Sequence, residues 1–165
     1  MRRFAICLAG LSGCFVLAPS LFAQLGDLNA HGGKPRSYVV FAEEQQVVAA
    51  GKRSVVELRF KVADGFHVNS HTPKSELLIP TKLALQPAAG VKAEPLLYPA
   101  GSSYSFTFSP AEKLDVYSGA FTVELPVVAE AGGHTIDGSL HYQACDHAAC
   151  YPPKDLPVQV VFVAK

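Results

Sequence analysis

From Arg53 to Val62 the chain alternates with hardly a break: Val56, Leu58, Phe60 and Val62 are apolar, and Glu57, Arg59 and Lys61 between them are charged. Side chains that switch faces at every residue belong to a strand half-buried on one side, because a helix would need apolar positions every three or four residues. Asp64-Gly65 then supplies a turn, since this pair readily adopts positive φ. The same rhythm predicts further strands at 38–42, 66–69, 81–85, 91–97, 104–108, 120–128, 134–144 and 156–163. Pro87, Gly90, Pro99, Gly101, Ser118-Gly119 and Gly132-Gly133 punctuate them. Twelve prolines scattered at this spacing leave no window for a long helix. Many short strands separated by regular turns imply an all-β fold, an immunoglobulin-like β-sandwich.

The first 23 residues stand apart from this pattern. Arg2 and Arg3 are followed by an almost wholly apolar run over 4–17, then by Pro19, Ser20 and the small residue Ala23. That is the three-part layout of a secretory signal peptide, and the run is short of the roughly 20 apolar residues a membrane span needs. Cleavage is expected near Ala23-Gln24. A second processing route is the lipobox-like Leu11-Ser12-Gly13-Cys14, which would acylate Cys14, although the residues after it stay apolar. Residues 24–35, rich in Gly, Asn and Asp, read as a flexible leader, and 36–165 as the sandwich domain. Without residues 1–23 the chain keeps twelve basic and fourteen acidic residues, a net charge of −2. No Lys/Arg cluster suggests nucleic acid as a partner.

Export also sorts the cysteines. Cys7 and Cys14 fall in the leading segment, so Cys145 and Cys150 are the only thiols of the exported part, in a compartment where disulfides persist. A strand enters this segment, four residues form a tight connection, and Tyr151-Pro152-Pro153 leads to the last strand. The two cysteines therefore stand at the feet of a hairpin-like loop. Such a pair can brace the hairpin, although a loop this short gains less than the roughly 3 kcal/mol of a 15-residue loop. It can exchange electrons with a partner's disulfide. With His147 or His141 it can bind a soft or borderline metal, Cu(I) or Zn(II). Spacing alone leaves these three open.

The segment Tyr142-Gln143-Ala144-Cys145, with Cys150-Tyr151-Pro152-Pro153 after it, resembles the active-site segment of the N-terminal periplasmic domain of the DsbD thiol–disulfide interchange family. Gly65-Phe66-His67-Val68-Asn69-Ser70, Leu78-Ile79-Pro80-Thr81-Lys82-Leu83 and Asp115-Val116-Tyr117-Ser118-Gly119 extend the likeness in the same order, over about residues 36–163. The resemblance implies a thiol–disulfide oxidoreductase of the periplasm that needs no cofactor. Such a domain takes electrons from a membrane-embedded relay and passes them to thioredoxin-like partners, among them disulfide isomerases and factors for cytochrome c maturation. It implies that Cys150 forms the mixed disulfide and Cys145 resolves it. It also implies an aromatic-tipped loop over the pair, which here would fall within 103–113, with Phe106 or Phe108 as the lid. The family's full-length protein carries a membrane unit and a thioredoxin domain that this sequence lacks, so the donor is expected on a separate chain. The domain itself is expected to be a monomer. The cysteines here enclose four residues, one fewer than in the best-known members.

Other residues carry paired readings. Tyr142 and Tyr151 flank the cysteines, as walls around the disulfide or as packing at the sandwich edge. His147 either favours a thiolate when protonated or is a solvated loop residue. His67 and Asn69 match family positions near the cysteines, and the other reading of His67 is core or strand filler. His71 and His134 read as surface residues. A β-hairpin offers no helix N-terminus to acidify a thiol, so near-ordinary thiols are expected, slow with small disulfides and fast only in a docked complex.

Overall fold

The computed structural model describes residues 37–107 and 109–165. The segments expected to be a signal peptide (1–23) and a leader (24–35), Cys14 and the expected lid residue Phe108 lie outside the described residues. All regular structure among the described residues is β. Twelve strands follow in chain order: β1 Val39–Ala42, β2 Gln46–Val48, β3 Arg53–Val62, β4 His67–Asn69, β5 Lys82–Leu85, β6 Val91–Ala93, β7 Ser102–Tyr104, β8 Leu114–Tyr117, β9 Ala120–Ala129, β10 Gly132–Tyr142, β11 Ala144–Cys145 and β12 Lys154–Ala164.

Two four-stranded sheets form the immunoglobulin-like sandwich, in the orders β1-β3-β9-β6 and β2-β12-β10-β5. Its interior is set by the alternation read in the sequence. Val56, Leu58, Phe60 and Val62 of β3 are buried, as are Phe121, Val123, Leu125 and Val127 of β9 opposite. From the other sheet Ile136 and Leu140 of β10 and Val158, Val160 and Phe162 of β12 join the same core. Phe60 stacks on Phe121 at 5.2 Å between ring centroids. Burial of this apolar surface is the main force holding the two sheets together.

A third sheet, in the order β11-β4-β8-β7, was not anticipated by a two-sheet reading. It arises because the β3–β9 ladder breaks at two turns and resumes as β4–β8. Gly65 (φ 81°) and Gly119 (φ 64°) supply the left-handed backbone at these turns, and Val62 N–H bonds Gly119 O at 2.8 Å across them. The other sheet contributes as well: beyond Tyr142, β10 gives way to β11, which pairs with β4 through Ala144↔Val68 and Cys145↔His67. The third sheet thus collects strands continuing from both sandwich sheets, and it carries the cysteines.

The strand expected at 104–108 is not there. β7 is Ser102–Tyr104, and the chain then leaves the sheet. Two short strands, β2 and β8, lay outside the strands predicted; β2 pairs in parallel with β12, through Phe162↔Gln46 to Ala164↔Val48. His71 and His134 are not free surface residues. His71 stacks on Tyr98 at 3.7 Å, and His134 lies over Phe162 at 5.2 Å with Nε2 at 2.7 Å from Glu130 O.

Candidate functional site: a disulfide between a buried and an exposed cysteine

Cys145 and Cys150 are joined by a disulfide, with Cα atoms 3.9 Å apart and an antiparallel bridge between the two residues. The hairpin-foot placement follows from the local hydrogen bonds. Tyr151 N–H bonds Ala144 O at 2.8 Å, and Asp146 N–H bonds Ala149 O at 2.9 Å, so the pairing closes on both sides of the cysteines. The two feet differ in exposure. Cys145 is fully buried (0 % exposed) against β4, whereas Cys150 is exposed.

Asp146 organises the four-residue connection, and the sequence reading passed over it. Its Oδ1 accepts the N–H groups of Ala148 and Ala149, both at 2.8 Å, and its Oδ2 accepts the Tyr151 hydroxyl. The Tyr151 hydroxyl first, and then the two amides, hold its carboxyl down at about 2, below the usual 3.8. An Asp leading a short connection, able to bond the amides two and three residues on, was the available signal. His147 is exposed on this loop, and its charge acts on Asp146.

The flanking tyrosines separate in role. Tyr151 is half-buried beside Cys150, stacked on Tyr38 at 5.3 Å and near Phe66 at 6.0 Å. Gln143 Nε2 donates to Tyr151 O at 3.1 Å. Tyr142 points into the sandwich, 1 % exposed, and its hydroxyl accepts the Tyr38 N–H at 3.2 Å.

Behind Cys145 lies β4, all three residues of which are buried. Asn69 Nδ2 donates to Ile79 O at 2.9 Å, while its Oδ1 has no partner. His67, the residue opposite Cys145, is 3 % exposed and its Nε2 has no partner. Burial pushes its imidazole below the ordinary value, and the Asp146 carboxylate pulls weakly the other way. Tyr104 covers the His67 ring at 4.0 Å and Phe106 lies at 5.8 Å, the two meeting edge to face at 5.4 Å. Phe106 is therefore placed over the strand that backs Cys145. Tyr104, which the sequence reading left inside a strand, shares that position.

No group of three or more His, Cys, Asp or Glu among the described residues is arranged to hold a metal ion. His141, the other histidine considered as a ligand, places Nδ1 2.8 Å from Asp155 Oδ1.

Several known proteins are similar to this chain. A curated thiol:disulfide interchange protein DsbD of Actinobacillus pleuropneumoniae serotype 5b (strain L20) is 24% identical over 161 residues. That match takes in 97% of this chain and 24% of the relative, so the chain spans about a quarter of that protein's length. Among solved structures, the reduced DsbD N-terminal domain of Neisseria meningitidis aligns with TM-score 0.43 and 20% identity, covering 70% of this chain and 86% of that one. A complex between the DsbD N-terminal and PilB N-terminal domains of the same organism aligns with TM-score 0.46 and 21% identity, covering 81% and 88%. The N-terminal periplasmic domain of ScsB from Proteus mirabilis gives 0.45 and 14%, covering 74% and 44%. The family model for the N-terminal part of thiol:disulfide interchange protein DsbD matches residues 38–161, from the start of the described sandwich into its last strand and with both cysteines inside it. On that match, the chain belongs to the DsbD N-terminal domain family.

Proposed function

We propose that this domain is a periplasmic thiol–disulfide exchange module that passes electron pairs through Cys145 and Cys150 to thioredoxin-like proteins. What supports the reading most is the unequal exposure of the two cysteines. A disulfide sulfur can be attacked only where a second protein can reach it, and here that is Cys150. In the forward direction the Cys150 thiolate attacks one sulfur of the partner's disulfide. The partner's other sulfur leaves as a thiolate, and a mixed disulfide forms. Cys145 then attacks the Cys150 sulfur, the intramolecular disulfide closes, and the partner's second sulfur departs as a thiolate. Two electrons have moved to the partner. A membrane-bound donor resets the pair by the reverse steps. Residues 1–23 serve export, and Phe106 with Tyr104 shields the Cys145 side until docking.

The test is trapping. Cys145→Ala should accumulate a covalent complex with a thioredoxin-like protein through Cys150, seen on non-reducing gels and mapped by mass spectrometry. Accumulation only in Cys150→Ala, through Cys145, would overturn the assignment of roles. The reduction potential of the pair should lie above about −300 mV; a value below that range would leave a bracing disulfide.

A further inference from the structure

The buried face of Cys145 holds a group that the exchange steps above do not use. His67 is the cross-strand partner of Cys145, so both side chains project from the same face of the third sheet. His67 Nε2 is buried and makes no hydrogen bond in the disulfide form. A buried polar atom left unpaired costs stability, so its retention calls for a state in which it finds a partner. Reduction creates one: the Cys145 thiol, a donor that does not exist while the disulfide is closed. Tyr104 and Phe106 lie over the imidazole and, with Cys145 itself fully buried, keep bulk water from serving as the base.

We propose that His67 is the proton acceptor for Cys145 when the mixed disulfide is resolved. This rests on the exchange reading above and adds a residue to it. As Cys145 attacks the Cys150 sulfur, its S–H proton passes to His67 Nε2. The new Cys145–Cys150 bond forms, and the partner's sulfur leaves with the electron pair of the broken bond. The imidazolium then returns its proton to the departing thiolate or to solvent. In the reverse reaction the same imidazolium protonates Cys145 as it leaves. Burial keeps the resting imidazole neutral and ready to accept. The Asp146 carboxylate, from the cysteine loop, is the charged group that acts on the ring and favours the transient cation. Tyr104, from β7, faces the imidazole with its aromatic ring, and Asp115, the charged residue of β8, lies opposite Ser103 of β7 rather than opposite His67.

The experiment loads Cys150 of the reduced domain with thionitrobenzoate and follows release of that group as Cys145 closes the ring. Closure is intramolecular, so it needs no partner protein. In wild type the rate should stay high through neutral pH and fall only in the acid range, below the ordinary imidazole value. His67→Phe should close about a hundredfold or more slowly at neutral pH and recover toward wild type in alkali, where Cys145 ionises unaided. His67→Gln, which can accept a hydrogen bond but not carry a proton away, should be as slow as His67→Phe. An unchanged rate in His67→Phe, a deficit that persists undiminished in alkali, or rescue by His67→Gln would each overturn the proposal. Wild-type exchange with a thioredoxin-like protein, measured alongside, separates this from failure of the exchange reading itself.

Discussion

β3 and β4 are joined by one turn and yet obey different rules. In β3 the inward positions from Val56 to Val62 are all apolar and the residues between them are exposed. In β4 all three residues are buried, and two of them, His67 and Asn69, are polar with one unpaired atom each. β3 is covered on one face; β4 is covered by β11 and the cysteine loop as well as by its own neighbours. A strand wrapped in this way cannot discard its polar groups to solvent, and each unpaired one costs stability. The sandwich is thus built to be dry and satisfied, while the third sheet bears a cost that stability alone does not explain. Sites that work by changing state are where such costs are expected.

The sharpest break of this comparison is in the sandwich. Phe60 is 2 % exposed, stacked on Phe121 and tilted against Phe41. Phe60→Ala should cost about 3–5 kcal/mol in denaturant unfolding of the oxidised domain, from lost transfer energy and the cavity left behind. The Cys145–Cys150 pair should still close in whatever fraction remains folded. A loss below about 1 kcal/mol would mean that the central core tolerates a void and is not the rigid part supposed here.

A smaller effect is expected at the junction. Tyr142 ends β10 just before the chain crosses to the third sheet, and its hydroxyl accepts the buried Tyr38 N–H at 3.2 Å. Tyr142→Phe keeps the ring and strands that amide, for about 1–2 kcal/mol. Rates of thiol exchange should be unaffected. A changed exchange rate with unchanged stability would move Tyr142 from the sandwich to the redox site.

These two regions were unequally legible from sequence. β3 was readable because alternation over ten residues leaves little choice of structure, and its observed bounds are those expected. Cys145 and Cys150 were readable because, with residues 1–23 read as an export segment, they are left as a pair. The third sheet was not: β4 was expected at 66–69, but its partners β7, β8 and β11 are two to four residues long, too short for any period to declare itself. Asp146 was missed for another reason: its importance lies in bonds to the backbone of its neighbours, and a reading centred on sulfur and imidazole gives such a residue no weight. Tyr104 was rightly placed in a strand, but as its first residue where it is the last of β7, so its position over His67 beside Phe106 was not foreseen.

Asp146 also gives the subtlest test, since it probes the cysteine loop without disturbing the sandwich. The Tyr151 hydroxyl and the amides of Ala148 and Ala149 bind its charged form, so its folded value of about 2 lies below the usual 3.8. A depressed carboxyl contributes order that is fully present above the ordinary value and lost as pH falls through the folded one. The loop should therefore hold its geometry at mildly acid pH and open between about pH 4 and pH 2. Amide resonances of Ala148 and Ala149, followed by NMR, should titrate with a midpoint near 2, while those of Phe60 and Leu125 in the sandwich stay put. In Asp146→Ala the two amides should exchange with solvent rapidly at every pH. A midpoint at the ordinary carboxylate value would mean that the cage around Asp146 contributes nothing. The connection between the cysteines would then be held by the disulfide and the two backbone bonds that flank it, and reduction would leave only those bonds.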